Sequence, residues 1–172
     1  DFSIFTIPLR HSIYSNGFLF QEKNNKRKLN LDLAQKFNIN KVYYKKLTQG
    51  ENVFNEKGEE IDFREVTSEG IKSKLYAFCS DTTYFPNIIK KISHANLLYH
   101  ESTFLEKDRE KAKLTWHSTA KDAAKIARDA KVDKLIIGHF SSRYENLDLF
   151  INEVKQIFQN VELAFDGKDI DI

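Results

Sequence analysis

Four histidines and one aspartate fall at the boundaries of predicted elements, each beside a hydroxyl, carboxylate or guanidinium residue. They are His11 in "PLRHS", Asp81 in "CSDTT", His100 in "YHEST", His117 in "WHSTA" and His139 in "IGHFSSRY". Imidazole and carboxylate donors suit Zn²⁺, and a carboxylate such as Asp81 can bridge two ions. A pair of ions activates water and clamps the oxygens of an in-line phosphoryl displacement. His11, Asp81 and His139 supply too few donors for two closed shells, so either one ion binds or further ligands come from outside these residues. Cys79 is the only cysteine, which excludes a thiolate metal cluster and an internal disulfide and fits a reducing compartment. Two-residue spacing from Asp81 in a strand puts Cys79 on the same side, as a buried neutral thiol. His94, at the end of a short predicted helix, reads as structural or exposed.

The elements that must position these residues alternate from Lys74 onward. "KLYAFCS" (74–80), "ANLLYH" (95–100), "KLIIGHF" (134–140) and "VELAF" (161–165) are short apolar runs that read as strands. Between them, Pro86 opens a helix carrying Ile88, Ile89 and Ile92. Thr119 and Asp122 form a capping arrangement for a helix whose Ala120, Ala123, Ala124, Ala127 and Ala130 make a small-residue face. Leu147, Phe150, Ile151, Val154, Ile157 and Phe158 form an amphipathic helix. Strands alternating with helices predict an α/β layer around a parallel sheet. "SDTT", "HEST" and "GHFSSRY" then all sit just past strand carboxyl ends, the edge at which open parallel sheets bind ligands. "EKDREKAK" (106–113) reads as a solvated charge run. Ser141, Ser142 and Arg143 either bind a phosphate or cap the helix that starts near Asn146.

The first 70 residues read differently. "SIFTIPLRH" and "GFLFQEK" are strands that could pair across a hairpin turn at Asn16-Gly17. Glu22 to Leu47 carries eight Lys or Arg against two acids, and Thr48 to Gly70 carries two against seven, so a basic block precedes an acidic one. A small hairpin is expected around Asn55 to Gly58. Residues 23–70 therefore read as an appended arm. Composition is that of an ordinary globular protein, 41% hydrophobic and 30% charged. No apolar run approaches the roughly 20 residues a membrane span requires. The chain opens without methionine on a strand already in progress, so a longer protein is expected, with part of the site upstream.

"FCSDT", "LYHESTF", "WHSTA", "IGHFSSRY" and "AFDG", in this order, resemble ribonuclease Z, the tRNA 3′-processing endonucleases of the metallo-β-lactamase superfamily. "PLRHSIYSNGFLFQEK" resembles the segment opening the second half of those enzymes. The resemblance implies an α/β fold that is half of an αββα sandwich, a sheet with helices outside it, bearing an inserted flexible arm within residues 1–172. It implies a zinc-dependent endoribonuclease, cytoplasmic, that removes the 3′ trailer of precursor tRNA after the discriminator base. By position, His11, Asp81 and His139 match the family's zinc ligands, with Asp81 bridging two Zn²⁺. Glu101 and His117 match the loops that help proton transfer to the leaving group. The arm would grip tRNA through Lys26, Arg27, Lys28, Lys45 and Lys46, with Tyr43 and Tyr44 beside them, and Ser141 and Arg143 would touch phosphate. A homodimer, in which one subunit's arm serves the other's active site, is implied too. Two features depart from the family. The His-x-His-x-Asp-His run that supplies most zinc ligands is absent from these residues, so this piece alone is expected to bind zinc weakly and to be inactive. The arm also lacks the expected Gly-Pro pair. Another phosphodiesterase of the superfamily and a non-catalytic RNA-binding module are the competing readings.

Overall fold

The computed structural model describes residues 2–23, 26–70 and 73–172; Asn24 and Asn25 of the basic segment lie outside them. Its strands are β1 (Phe2–Pro8), β2 (Asn16–Glu22), β3 (Lys28–Leu29), β4 (Val53–Phe54), β5 (Glu60–Ile61), β6 (Thr67–Ser68), β7 (Leu75–Cys79), β8 (Leu97–Glu101), β9 (Lys134–Gly138) and β10 (Val161–Leu163). The α-helices are α1 (Leu31–Lys36), α2 (Tyr44–Thr48), α3 (Phe63–Val66), α4 (Ile89–Ile92), α5 (Arg109–Thr115), α6 (Ala120–Asp129) and α7 (Asp148–Lys155). Two compact units divide them, one formed by 2–21 with 74–172 and one by 22–73.

The larger unit is built on a sheet of order β1-β2-β7-β8-β9-β10. β7, β8, β9 and β10 run parallel, and β2 pairs antiparallel with β7. Ala77, Cys79, Leu98, Leu135 and Ile137 alternate onto one face and join the core with Phe150 and Val154 of α7. The five alanines of the small-residue face, from Ala120 to Ala130, are fully buried. These small side chains let the α6 backbone lie close to the sheet, with Ile126 the large side chain the helix buries beside them. Its start carries the expected capping box, in which Thr119 accepts from the Asp122 N–H and Asp122 accepts from the Thr119 N–H. The charge run is less solvated than expected. Arg109 ties Glu106 at 2.7 Å to Asp122 at 2.8 Å, anchoring α5 to the α6 cap.

Parallel pairing decides where the chemistry falls. Cys79 is in register with His100, and His100 with Ile137, so β7, β8 and β9 release their chains at one edge. Asp81, Glu101 and His139 follow at that edge.

Two expectations fail locally. Asn16-Gly17 is the start of β2, not a turn. A Cβ on Gly17 would lie 2.4 Å from the Phe78 carbonyl oxygen, so glycine is there for close strand approach. Alternation from Cys79 to Asp81 also breaks, because Asp81 has left the strand with φ +58°. Cys79 stays in the core, where burial pushes its thiol up to about 12.

The smaller unit has its own core of Ala34, Ile39, Leu47, Val53, Ile61 and Val66. Side-chain caps punctuate it: Asn30, Asn40 and Asp62 accept from the N–H groups of Leu33, Val42 and Arg64. β4 and β5 form the expected hairpin, closed by Asn55 Oδ1, which accepts from the Lys57 and Glu59 N–H groups.

Replacing Gly17 by alanine should force β2 away from β7 and cost about 1–3 kcal/mol. A urea midpoint unchanged from the parent would show that the strands tolerate the added methyl.

Candidate metal centre

Glu101 ends β8 with a fully buried side chain. Its Oε1 accepts from the Thr82 N–H at 2.7 Å and from His117 Nδ1 at 2.8 Å. Its Oε2 accepts from the Thr103 hydroxyl at 2.6 Å and the Ser118 N–H at 3.0 Å. Burial alone would raise this carboxyl, but the bonds from His117, Thr103 and Ser118 outweigh it and hold the pKa below the usual range. Glu101 is therefore an anion whose acceptor positions are filled, and three loops converge on it.

These bonds fix the imidazoles. A hydroxyl has one hydrogen, and Thr103 gives its own to Glu101. The 2.9 Å contact between Thr103 Oγ1 and His139 Nδ1 must then be a bond donated by the ring. In the neutral ring His139 Nε2 is left bare, 3.3 Å from Asp81 Oδ1. His117 turns Nδ1 to Glu101, and that hydrogen bond, followed by burial acting the other way, leaves its pKa raised. His11 Nδ1 meets the Trp116 carbonyl at 2.9 Å, which can only accept, so in the neutral ring His11 Nε2 is bare as well. The His117 ring lies between those of His11 and His139, with centroids 4.9 and 5.2 Å away.

One ligand atom from each of Asp81, Glu101, His117 and His139 lies within 4.8 Å of the others. The donor set fits a metal. Two bare acceptors 3.3 Å apart, His139 Nε2 and Asp81 Oδ1, repel unless a cation or proton lies between them, and imidazole with carboxylate suits a divalent transition ion. Glu101 is a poor ligand despite its proximity, because all its acceptor positions are occupied. Its bonds instead hold the His117 ring and, through Thr103, the His139 ring. Asp81 and His139 adopt left-handed backbone, with φ +58° and +60°. Non-glycine residues reach that region at a cost of roughly 1–3 kcal/mol each.

Other candidate residues fall elsewhere. Ser141 accepts from Arg143 Nε at 2.9 Å, and the Arg143 guanidinium lies over the Phe104 ring. Arg27 turns into its own unit, donating to Thr67 Oγ1 at 2.7 Å and stacking on Phe63, whereas Lys26, Lys28, Lys45 and Lys46 are exposed. Tyr44 packs against the small core, while Tyr43 and Val42 face solvent. His94 is exposed. His100 is fully buried and kept neutral by that burial. Its Nε2 and the Ser102 hydroxyl find no hydrogen-bond partner among the described residues. Thr82, Thr103 and Ser118, which sequence reasoning left without roles, turn out to organise the centre. Their signal was position alone, within two residues of Asp81, Glu101 and His117.

Glu101→Gln would turn an amide NH₂ toward donors that now meet an oxygen. A loss of about 2–4 kcal/mol is expected in chemical denaturation. Parent-like stability would mean that the carboxylate is not the anchor of the three loops.

A scan against protein-family models finds no match to the chain. Curated relatives do match. A Ribonuclease Z of Porphyromonas gingivalis is 40% identical over 98% of this chain and 56% of its own length. A Ribonuclease Z of Cytophaga hutchinsonii is 42% identical over 95% of this chain and 52% of its own length. Among solved structures, the metallo-β-lactamase fold protein YhfI of Bacillus subtilis is similar with a TM-score of 0.62 at 15% identity, covering 97% of this chain and 48% of that one. The short form of human tRNase Z gives a TM-score of 0.55 at 22% identity, covering 99% of this chain and 43% of that one. The structural likenesses establish a metallo-β-lactamase fold, of which this chain matches about half. By its sequence likeness the chain belongs to the ribonuclease Z family, and it spans about half the length of the curated relatives it matches.

Proposed function

We propose that this chain carries one half of the active centre of a zinc-dependent endoribonuclease that removes 3′ trailers from precursor tRNA. The observation that carries the reading is His139 Nε2 facing Asp81 Oδ1 at 3.3 Å, on a sheet edge where His11 and His117 also gather. The name these relatives carry, Ribonuclease Z, supports RNA as the substrate.

Asp81, His139 and His11 would hold the metal, Asp81 through an exposed carboxylate able to bridge and the histidines through Nε2. The bound metal would supply Lewis acidity toward a phosphoryl oxygen and toward water. His117, held at Nδ1 by Glu101, would direct Nε2 toward the leaving oxygen and carry a proton to it. Glu101 positions that ring and touches no substrate. Exposed Lys26, Lys28, Lys45 and Lys46, joined by Ser141 and Arg143 in the larger unit, would meet RNA phosphates. With three of the ligands in these residues, the 172-residue chain alone would bind zinc weakly and cleave little. A cytoplasmic homodimer completes the proposal, on the strength of the family resemblance.

Asp81→Ala and His139→Ala should each lower zinc affinity roughly 100-fold or more in calorimetric titration. In the full-length protein they should abolish precursor-tRNA cleavage that a chelator also stops. Equal zinc binding by both variants and the parent would sink the ligand assignment. Replacing Lys45 and Lys46 together with alanine should weaken tRNA binding and flatten its salt dependence. An unchanged salt slope would remove these lysines from the RNA-binding account.

A further inference from the structure

Trp116 is the one tryptophan of the chain, and it sits where an aromatic residue is costly. It caps the carboxyl end of α5 with φ +59° and ψ +39°, the left-handed conformation that glycine adopts without penalty. The cap itself needs only backbone: the Trp116 N–H bonds back into α5, and its carbonyl accepts from His11 Nδ1. Glycine would serve both contacts. The indole adds something else: the residue is 38% exposed, and the Arg10 guanidinium lies 5.6 Å from the ring centroid.

Around that ring is a groove of about 250 Å³ lined by Arg10, Thr83, Tyr84, Lys113 and Trp116. Arg10 has no carboxylate partner among the described residues. Lys113 reaches Glu110 only in an exposed pair, and Lys125 Nζ lies over the Tyr84 ring at 6.0 Å. The groove thus joins two aromatic rings to a set of cations. It adjoins the metal centre along two stretches of chain, since Thr83 is two residues from Asp81 and Trp116 directly precedes His117. Arg10 is pinned there: its N–H donates to Thr82 Oγ1 at 3.2 Å and its carbonyl accepts from the Thr83 N–H at 2.8 Å.

We propose that this groove is a nucleotide subsite, in which a base of the RNA strand beside the scissile phosphate stacks on Trp116 while Arg10 and Lys113 take the adjoining phosphates. The proposal rests on the ribonuclease reading and deepens it. Every base presents a π-face, so stacking tolerates sequence, and cations supply salt-dependent attraction without reading bases. Such a subsite would hold the strand in register with the metal whatever the nucleotide in it.

The lone tryptophan makes the test direct. Adding a five-uridine RNA to the 172-residue chain should quench Trp116 fluorescence saturably. Trp116→Gly keeps the backbone geometry and the carbonyl that holds His11. It should melt no lower than the parent, yet bind dye-labelled RNA roughly ten-fold more weakly by anisotropy. Trp116→Phe should recover most of that affinity, and Arg10→Gln should weaken binding and reduce its salt slope. If labelled precursor tRNA binds the parent but fluorescence is unmoved and Trp116→Gly binds equally, the subsite is wrong and the ribonuclease reading stands. If the parent binds neither RNA, the subsite is wrong for this chain, and precursor-tRNA cleavage by the full-length protein decides the ribonuclease reading separately.

Discussion

The centre depends on one buried carboxylate. Removing Glu101 from water is expensive unless every lone pair is met, and two backbone N–H groups, a hydroxyl and an imidazole meet them. Those donors come from the loop after β7, the loop after β8 and the connection between α5 and α6. None of the three loops can drift without exposing part of the charge to a low-dielectric interior. The carboxylate therefore acts as a shared folding constraint. Through Thr103 it reaches His139, and through His117 it stands next to His11.

The hydrogen bookkeeping gives this constraint chemical direction. Because Thr103 gives its only hydrogen to Glu101, His139 donates from Nδ1, and in the neutral ring the outward nitrogen is a donor of electrons. Because the Trp116 carbonyl can only accept, His11 is polarised the same way. In their neutral rings both histidines thus turn bare nitrogens outward, with neutral oxygens holding the inner ones.

Much of the fold was legible in the sequence. Apolar runs ending in polar clusters located the edge of the sheet, and the run of alanines located the helix that packs close. The Thr119–Asp122 cap was readable from spacing alone. The core of the smaller unit was not legible: Leu29 lies in a two-residue strand, Leu33 in a six-residue helix and Phe37 at that helix's cap, elements too short for periodicity to emerge. Other failures share a cause. Asn16-Gly17 has the composition of a turn but is claimed by strand pairing at a close backbone approach, and Asp81 leaves its strand through a φ that no residue pattern announces. The roles of Thr82, Thr103 and Ser118 arise from convergence of segments up to 36 residues apart, which local reading does not see.

The left-handed backbone at Asp81 and His139 sets fold against chemistry. At each position glycine would relax the chain, while the residue present is one proposed as a ligand. The most foldable version of this sequence is consequently one with fewer of the proposed ligands. A library of variants screened for solubility or heat resistance alone would be drawn toward glycine at 81 and 139, and would lose the centre while the sheet around it stayed intact.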